Sequence, residues 1–279
     1  MAFIKPEVYA PIVSEKLKER MVIANLAVDL GLLKGDVGET VNFPVFKRIG
    51  DAKLLTKGNG IEEEELQQEQ SSATIKHISA PGVVVYDIEN KTALGNQVTE
   101  GAKQQGESIA RYIDLDCIKE LENTTLKKAV ADAKSITAEE LNEGLMLFGD
   151  EQDTDSMDAI IINSLLSAKF YSMPEFVDAT KTYNGSNSNG IVKGGVIGYF
   201  RGIPVIMSDH GTLDKVNTEC KTFILKKGCL GKMFKSDKRC DIEVERQAKF
   251  KRTAVYTDSI YAVKLLDSEG VVMLKKTIA

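Results

Sequence analysis

The spacing of apolar residues along the chain changes several times, and each change marks a different element. In residues 7–33, EVYAPIVSEKLKERMVIANLAVDLGLL, Val13, Leu17, Met21 and Val22 fall on one face of a helix and an apolar continuation follows. This predicts a helix ending near Gly31 or Gly35. From residue 38, GETVNFPVFKRIGDAKLLTKGNGIEEEELQ opens as a strand, with Val41, Phe43, Val45 and Ile49 roughly alternating with polar positions. It then runs into a polar tract that ends in four consecutive glutamates. Residues 72–88, SATIKHISAPGVVVYDI, predict the return strand, and Gly58, Asn59 and Gly60 supply turn chemistry between the two sides.

The most regular pattern lies between Leu94 and Asn123. Val98, Ala102, Ile109, Ile113, Cys117 and Leu121 recur at steps of four or seven, so one narrow apolar stripe runs along a helix about 45 Å long. Its other faces carry Glu100, Lys103, Gln104, Gln105, Glu107 and Arg111, which makes the helix read as a strut. Beyond it, Thr137-Ala138-Glu139-Glu140 forms a capping box opening a short helix through Met146. DAIIIN suits a buried strand, SLLSAKFYSMPEF a helix that stops before Pro174, and GGVIGYFRGIPVIMSD a glycine-rich strand pair. TKTYNGSNSNG at 180–190 reads as a polar surface loop, and TFILKKGCLG as a further strand and turn. The segment from Asp241 alternates again, with Ile242, Val244, Val255, Ile260, Val263, Val271 and Met273 as core candidates. A helix-plus-sheet region therefore gives way to an α/β lobe, and strands close the chain.

The hairpin arm raises a physical question. Ordering backbone costs about 1–2 kcal/mol per residue, and a polar projecting arm buries little apolar surface in return. Another surface must complete it. At 279 residues, 43% hydrophobic and 28% charged, the chain is near the upper size for one core, so two lobes are as natural as one domain. A net charge of -5 argues against a protein built to grip nucleic acid.

Chemistry is hard to find in these residues. Cys117, Cys220, Cys229 and Cys240 form no Cys-x-x-Cys pair and read as reduced, buried thiols; with His77 and His210 they make no plausible metal set. GGVIGYFRG at 194–202 lacks the GxGxxG order and reads as hairpin turns. The acidic pairs Asp114/Asp116 and Glu139/Glu140 read as solvated helix faces. No membrane span and no secretory leader are expected. No catalytic residue, cofactor or metal is assigned. The block Glu62, Glu63, Glu64 and Glu65 admits a mobile tip, a weak cation site, or an electrostatic contact with a basic strip on another subunit. Lys226 and Lys227, or Lys249, Lys251 and Arg252 in KFKR, would serve as that strip.

Taken in order, IKPEVYAPIVSEKLKERM, GDVGETVNFPVFKRIGDA, SATIKHISAPGVVVYDIEN, NQVTEGAKQQGESIARYIDLDCIKELEN and DAIIINSLLSAKFYSM followed by GGVIGYFRGIPVIMSD resemble the major capsid proteins of tailed bacteriophages. The resemblance implies the α+β Hong Kong 97-like coat fold. Its parts would be an N-terminal arm and helix (1–33), an extended loop hairpin with peripheral strands (34–90), a spine helix (91–129), an axial domain (130–235), and C-terminal strands returning to the peripheral domain (236–279). It implies a structural, non-enzymatic protein of the virion, assembled in the host cytoplasm into hexamers and pentamers around double-stranded DNA that it touches weakly. Partners would be other copies of itself, a separate scaffolding protein and a portal. Some members join subunits by Lys–Asn isopeptide bonds, and Lys57 sits on the loop where such a donor would lie; no Asn partner is assigned. The competing readings are an encapsulin-type nanocompartment shell and an unrelated cytosolic enzyme with an inserted hairpin.

Overall fold

One long helix lies against two six-stranded sheets. The structure is a computed structural model and describes residues 6–34, 36–46, 54, 63, 65, 68–92, 97–150, 152–177, 195–237 and 239–278. The chain opens with helix α1 (Pro6–Arg20) and strand β1 (Val28–Leu32), then the paired arm strands β2 (Thr40–Phe46) and β3 (Gln68–Thr74). Strands β4 (Lys76–Ser79) and β5 (Val83–Tyr86) lead through α2 (Asp87–Thr92) into the long helix α3 (Gln97–Leu121). The second lobe contains β6 (Leu126–Ala129), α4 (Ala138–Met146), β7 (Met157–Ile162), α5 (Ser167–Phe170), α6 (Pro174–Val177), β8 (Val196–Phe200), β9 (Ile203–Met207), β10 (Leu213–Asp214), β11 (Glu219–Cys220) and β12 (Thr222–Lys226). The chain finishes with β13 (Leu230–Phe234), β14 (Asp241–Gln247), β15 (Arg252–Leu265) and β16 (Val271–Lys275).

The first sheet runs β1-β13-β15-β14, with β4 and β5 also pairing β15. The second runs β6-β16-β12-β7-β9-β8. Its hairpin β8–β9 turns through Arg201 and Gly202, both at positive φ, which is turn chemistry of the kind the glycine-rich stretch predicts. Helix α4 starts on the expected capping box, Thr137 and Glu140 each satisfying the other's backbone.

Several boundaries differ from the sequence pattern. The first helix stops at Arg20, and residues 28–32 form a strand parallel to β13. The predicted return strand breaks into three: β3 pairs the arm, whereas β4 and β5 pair β15. The spans 130–235 and 236–279 do not each coincide with one sheet. Beyond Gly228, at φ +83°, β13 enters the first sheet, and β16 returns to the middle of the second.

Helix α3 also corrects the reading of a narrow stripe. Ala102, Ile109, Ile113, Cys117 and Leu121 are buried as expected, but so are Gln105, Asp114 and Asp116. Gly106 shows why α1 can pack so closely: a Cβ there would stand 2.9 Å from the Val13 carbonyl oxygen. Gln105 fills all four of its hydrogen-bond positions. Its Oε1 accepts from the Tyr9 hydroxyl at 2.8 Å and the Thr257 hydroxyl at 2.9 Å; its Nε2 donates to the carbonyls of Pro81 and Val255, each at 3.0 Å. Asp116 accepts from Lys76, Lys119 and the Tyr261 hydroxyl. Burial pushes its pKa up, but these three bonds outweigh that and hold it below the usual aspartate value. The reading of Asp114 and Asp116 as a solvated face is therefore overturned.

Leaving a buried polar group unpaired costs about 1–3 kcal/mol, and Gln105→Ala takes the partner from the buried Tyr9 and Thr257 hydroxyls and the Val255 carbonyl at once. We expect a stability loss of roughly 3 kcal/mol or more, seen as a lower denaturation midpoint. The exposed neighbour changed in Gln104→Ala should stay within about 0.5 kcal/mol of the parent.

Candidate inter-subunit surface

The arm strands pair in register from Thr40 with Thr74 to Phe46 with Gln68. Among the described residues, the buried side chains of this pair are Phe43 and Ala73, both near its root, where they join Leu33, Ile75 and Ala262. Backbone bonds from Gly38 to the Ile75 carbonyl and from Ile75 to the Glu39 carbonyl close that root. Lys57, Glu62, Glu64 and the Gly58-Asn59-Gly60 turn lie outside the described residues; Glu63 and Glu65 are exposed.

The structure separates the two proposed basic strips. Lys226 ends β12 in the second sheet and Lys227 follows it; the Lys226 ammonium sits 4.7 Å from the Phe148 ring centroid and Lys227 donates to the Asp155 carbonyl at 2.8 Å. Lys249, Lys251 and Arg252 instead share the turn that joins β14 to β15 in the first sheet. Phe250 is 57% exposed at its tip. The Arg252 guanidinium lies 5.0 Å from the Phe250 ring centroid and 5.9 Å from that of Tyr86; the Lys249 ammonium lies 5.8 Å from the Phe250 centroid. These are cation–π distances, and they hold cations over aromatic rings at the surface.

The sequence reading missed the residues that frame this turn. Tyr86 pairs with Arg252 and Val84 with Ala254, so Val84, Tyr86, Arg252 and Tyr256 fall on one sheet face by the two-residue strand period. Val84, Tyr86 and Tyr256 are exposed there. Exposed aromatics with arginine are the composition that marks protein interfaces. The turn is braced from behind by Arg246, which makes two bonds to Asp87, at 2.7 and 2.6 Å, and one to Thr253; the pairing holds the guanidinium proton more tightly than usual. The sequence signal for this was the VVVY run at 83–86, which carries a tyrosine where a buried strand would stay aliphatic.

All four cysteines are buried, and burial raises the pKa of Cys117, Cys220 and Cys229. Among the described residues, no cluster of His, Cys, Asp and Glu is placed to hold a metal, and no helix is long and apolar enough to cross a membrane.

With this arrangement of arm, long helix and two sheets, the fold is the Hong Kong 97-like coat fold of phage capsids. The chain is 28% identical over 276 residues to the major capsid protein of Staphylococcus phage phiMR11, covering 98% of this chain and 93% of that one. It superposes with a TM-score of 0.64 on the capsid structure of cyanophage P-SCSP1u, at 13% identity, over 93% of this chain and 89% of the other. It also superposes with a TM-score of 0.62 on a virus-like particle from Pyrococcus furiosus, at 12% identity, over 96% and 98%. No family model matches the chain. The fold class and the recognition of a phage major capsid protein, both made from the sequence, are borne out by these likenesses.

Lys251, on the exposed turn, holds a left-handed backbone at φ 49°. That conformation costs a side-chain-bearing residue about 1–2 kcal/mol, partly offset for glycine by its greater freedom when unfolded. Lys251→Gly should therefore raise the stability of the isolated chain by roughly 0.5–1 kcal/mol in a urea titration.

Proposed function

We propose that the chain is the structural subunit of an icosahedral phage head, a major capsid protein that assembles into hexamers and pentamers and encloses double-stranded DNA. The observation that carries this reading is the arm: a paired hairpin anchored at its root by Phe43 and Ala73, whose polar strands need a surface beyond their own subunit. Similarity to the Staphylococcus phage major capsid protein along nearly all of both chains supports it. In this reading α1, α3 and the first sheet form the peripheral domain, and α4, α5, α6 and the second sheet form the axial one. The virion is its destination, and a separate scaffolding protein and a portal are its partners during assembly in the host cytoplasm. Its work is mechanical and calls for no catalytic residue.

The arm of one subunit would lie across its neighbour and bring Glu62, Glu63, Glu64 and Glu65 to the turn bearing Lys249, Lys251 and Arg252. That turn suits the role because it carries three cations beside Phe250, which is exposed at its tip. A second reading, the shell of a non-viral nanocompartment, is favoured by the likeness to the Pyrococcus furiosus particle. Electron microscopy of the purified full chain tests the shared core of both readings, with closed shells or ring-like capsomers expected and uniform monomer-sized particles overturning it. The content of particles recovered from infected cells separates the two: packaged DNA fits the phage head, protein cargo the compartment.

A single exposed ion pair is worth about 0–1 kcal/mol, but a shell repeats it at every subunit contact. Reversing Glu62, Glu63, Glu64 and Glu65 to Lys sets like charges against the basic turn, at several kcal/mol per interface. Assembly should fail with the monomer's melting temperature nearly unchanged, and combining it with Lys249→Glu and Lys251→Glu should restore some shells. Unimpaired assembly of the fourfold variant at low salt would show that the tip makes no such contact.

A further inference from the structure

The second sheet separates two surfaces that the arm contact does not use. Strands β7 and β12 turn Ile161, Phe223 and Leu225 towards the apolar cluster of α3, and Ile160, Ile162 and Ile224 towards the one that holds Leu141 and Leu145 of α4. The two helices therefore lie on opposite faces of one sheet. The chain enters β7 from residues 150–155 and leaves it through Asn163 and Ser164, about 20 Å further on at the strand rise.

On the α3 side, where β7 ends, the structure holds a cleft of about 810 Å³. One face of α3 lines it with Arg111, Tyr112, Leu115 and Lys119, and the facing wall brings Leu165, Leu213 and Lys215. Leu165 is 51% exposed. Pairing cancels two carboxylates of the cleft, because Glu122 meets Lys221 at 2.7 Å and Asp214 meets Lys275 at 2.6 Å. Asp209 is left against Arg111, Lys119 and Lys215. Arg111 and Lys119 also reach Glu107 and Asp116 of their own helix, whereas Lys215 has no carboxylate partner among the described residues.

On the α4 side, where β7 begins, a knob has the opposite character. From Ser135 to Ala168 the sequence carries eight carboxylates and no lysine or arginine. Met146, 67% exposed, and Leu147 end α4 with their side chains in solvent, and Asp150, Asp153 and Asp155 are exposed just beyond them. Lys128 pairs with Glu143 at 3.2 Å and Lys227 reaches the Asp155 carbonyl, but the carboxylates of Asp150, Asp153 and Asp155 pair with no cation among the described residues.

We propose that the knob of one copy seats in the cleft of the next, and that this head-to-tail contact builds the capsomer ring. The proposal rests on the coat reading and adds to the arm contact a second, separate one. Met146 and Leu147 meet Tyr112, Leu115 and Leu165, and the aspartates meet Lys215, Arg111 and Lys119, so apolar surface and charge match on both sides. Because knob and cleft lie on opposite faces and at opposite ends of one sheet, no subunit can fill its own cleft. A contact between unlike patches repeats from copy to copy until the rotation closes a ring.

Leu165→Asp with Lys215→Glu spoils the cleft alone, and Met146→Asp with Asp153→Lys spoils the knob alone. All four side chains are exposed, so both full-length variants should melt as the parent does. In sedimentation velocity each should need at least about tenfold more protein than the parent to form rings or shells. An equal mixture should give a one-to-one complex, since it holds one sound knob and one sound cleft. Where a double variant melts low, Lys215→Glu and Asp153→Lys alone serve as the pair, with the same outcomes. Assembly of either variant at the parent's concentration overturns the contact and leaves the coat reading standing, and so does a mixture that forms no one-to-one complex. A parent that stays monomeric at every concentration overturns both.

Discussion

A helix that carries polar side chains into a core must find a partner for each of them, and in this fold that requirement fixes the position of almost everything around α3. Gln105 binds the Tyr9 hydroxyl of α1, the Pro81 carbonyl between β4 and β5, and two groups of β15. Asp114 takes the turn after α1, and Asp116 takes Lys76 of β4 and Tyr261 of β15. Burial of apolar surface is non-directional, so by itself it fixes the register of α1 on its partner only weakly. The hydrogen bonds are directional. They specify which residue of the first helix, which bend of the β4–β5 segment and which stretch of β15 meet the long helix.

That explains why the helix was legible as a strut and only half legible as a scaffold. Val98, Ala102, Ile109, Ile113, Cys117 and Leu121 announce a buried face by their spacing, since apolar periodicity is a local property of the sequence. Gln105, Asp114 and Asp116 carry no such mark. Each looks like the solvated residues beside it until its partners, up to some 150 residues away in the chain, are placed. The same limit explains β1. Residues 28–32 continue an apolar helical pattern, and the chain leaves the helix because Asp114 and Lys232 capture the turn and β13 offers an edge.

The candidate surface was legible in a similar, uneven way. The arm could be read because a polar hairpin without a core is thermodynamically odd, and the basic cluster KFKR because charge is visible in one dimension. The aromatic frame could not. Tyr86 and Arg252 become neighbours through the pairing of β5 with β15, and Tyr256 shares their face only because a strand turns every second side chain the same way. The sheet assignments of β13 and β16 were missed for a related reason: nothing in LKKGCLG says that the strands on its two sides belong to different sheets.

The two structural halves of the molecule are coupled through this shared helix, and the coupling bears on how a shell subunit can work. One apolar cluster includes Ile113 and Cys117 of α3, Leu230, Phe234 and Tyr261 of the first sheet, and Phe223, Val271 and Met273 of the second. The chain crosses between the sheets at Lys226 to Cys229 and again between β15 and β16, so neither sheet can swing without disturbing that cluster. Close packing resists such distortion, since even a small void forfeits contacts on every side. The adaptable parts must then be those that the cluster does not hold, such as the turn at Phe250. Under the proposed function, a subunit that had to fit both five-fold and six-fold rings would gain from this division. Its body would keep one shape, and the differences in contact geometry would fall on surface turns, whose backbone can bend at far lower cost than a packed core.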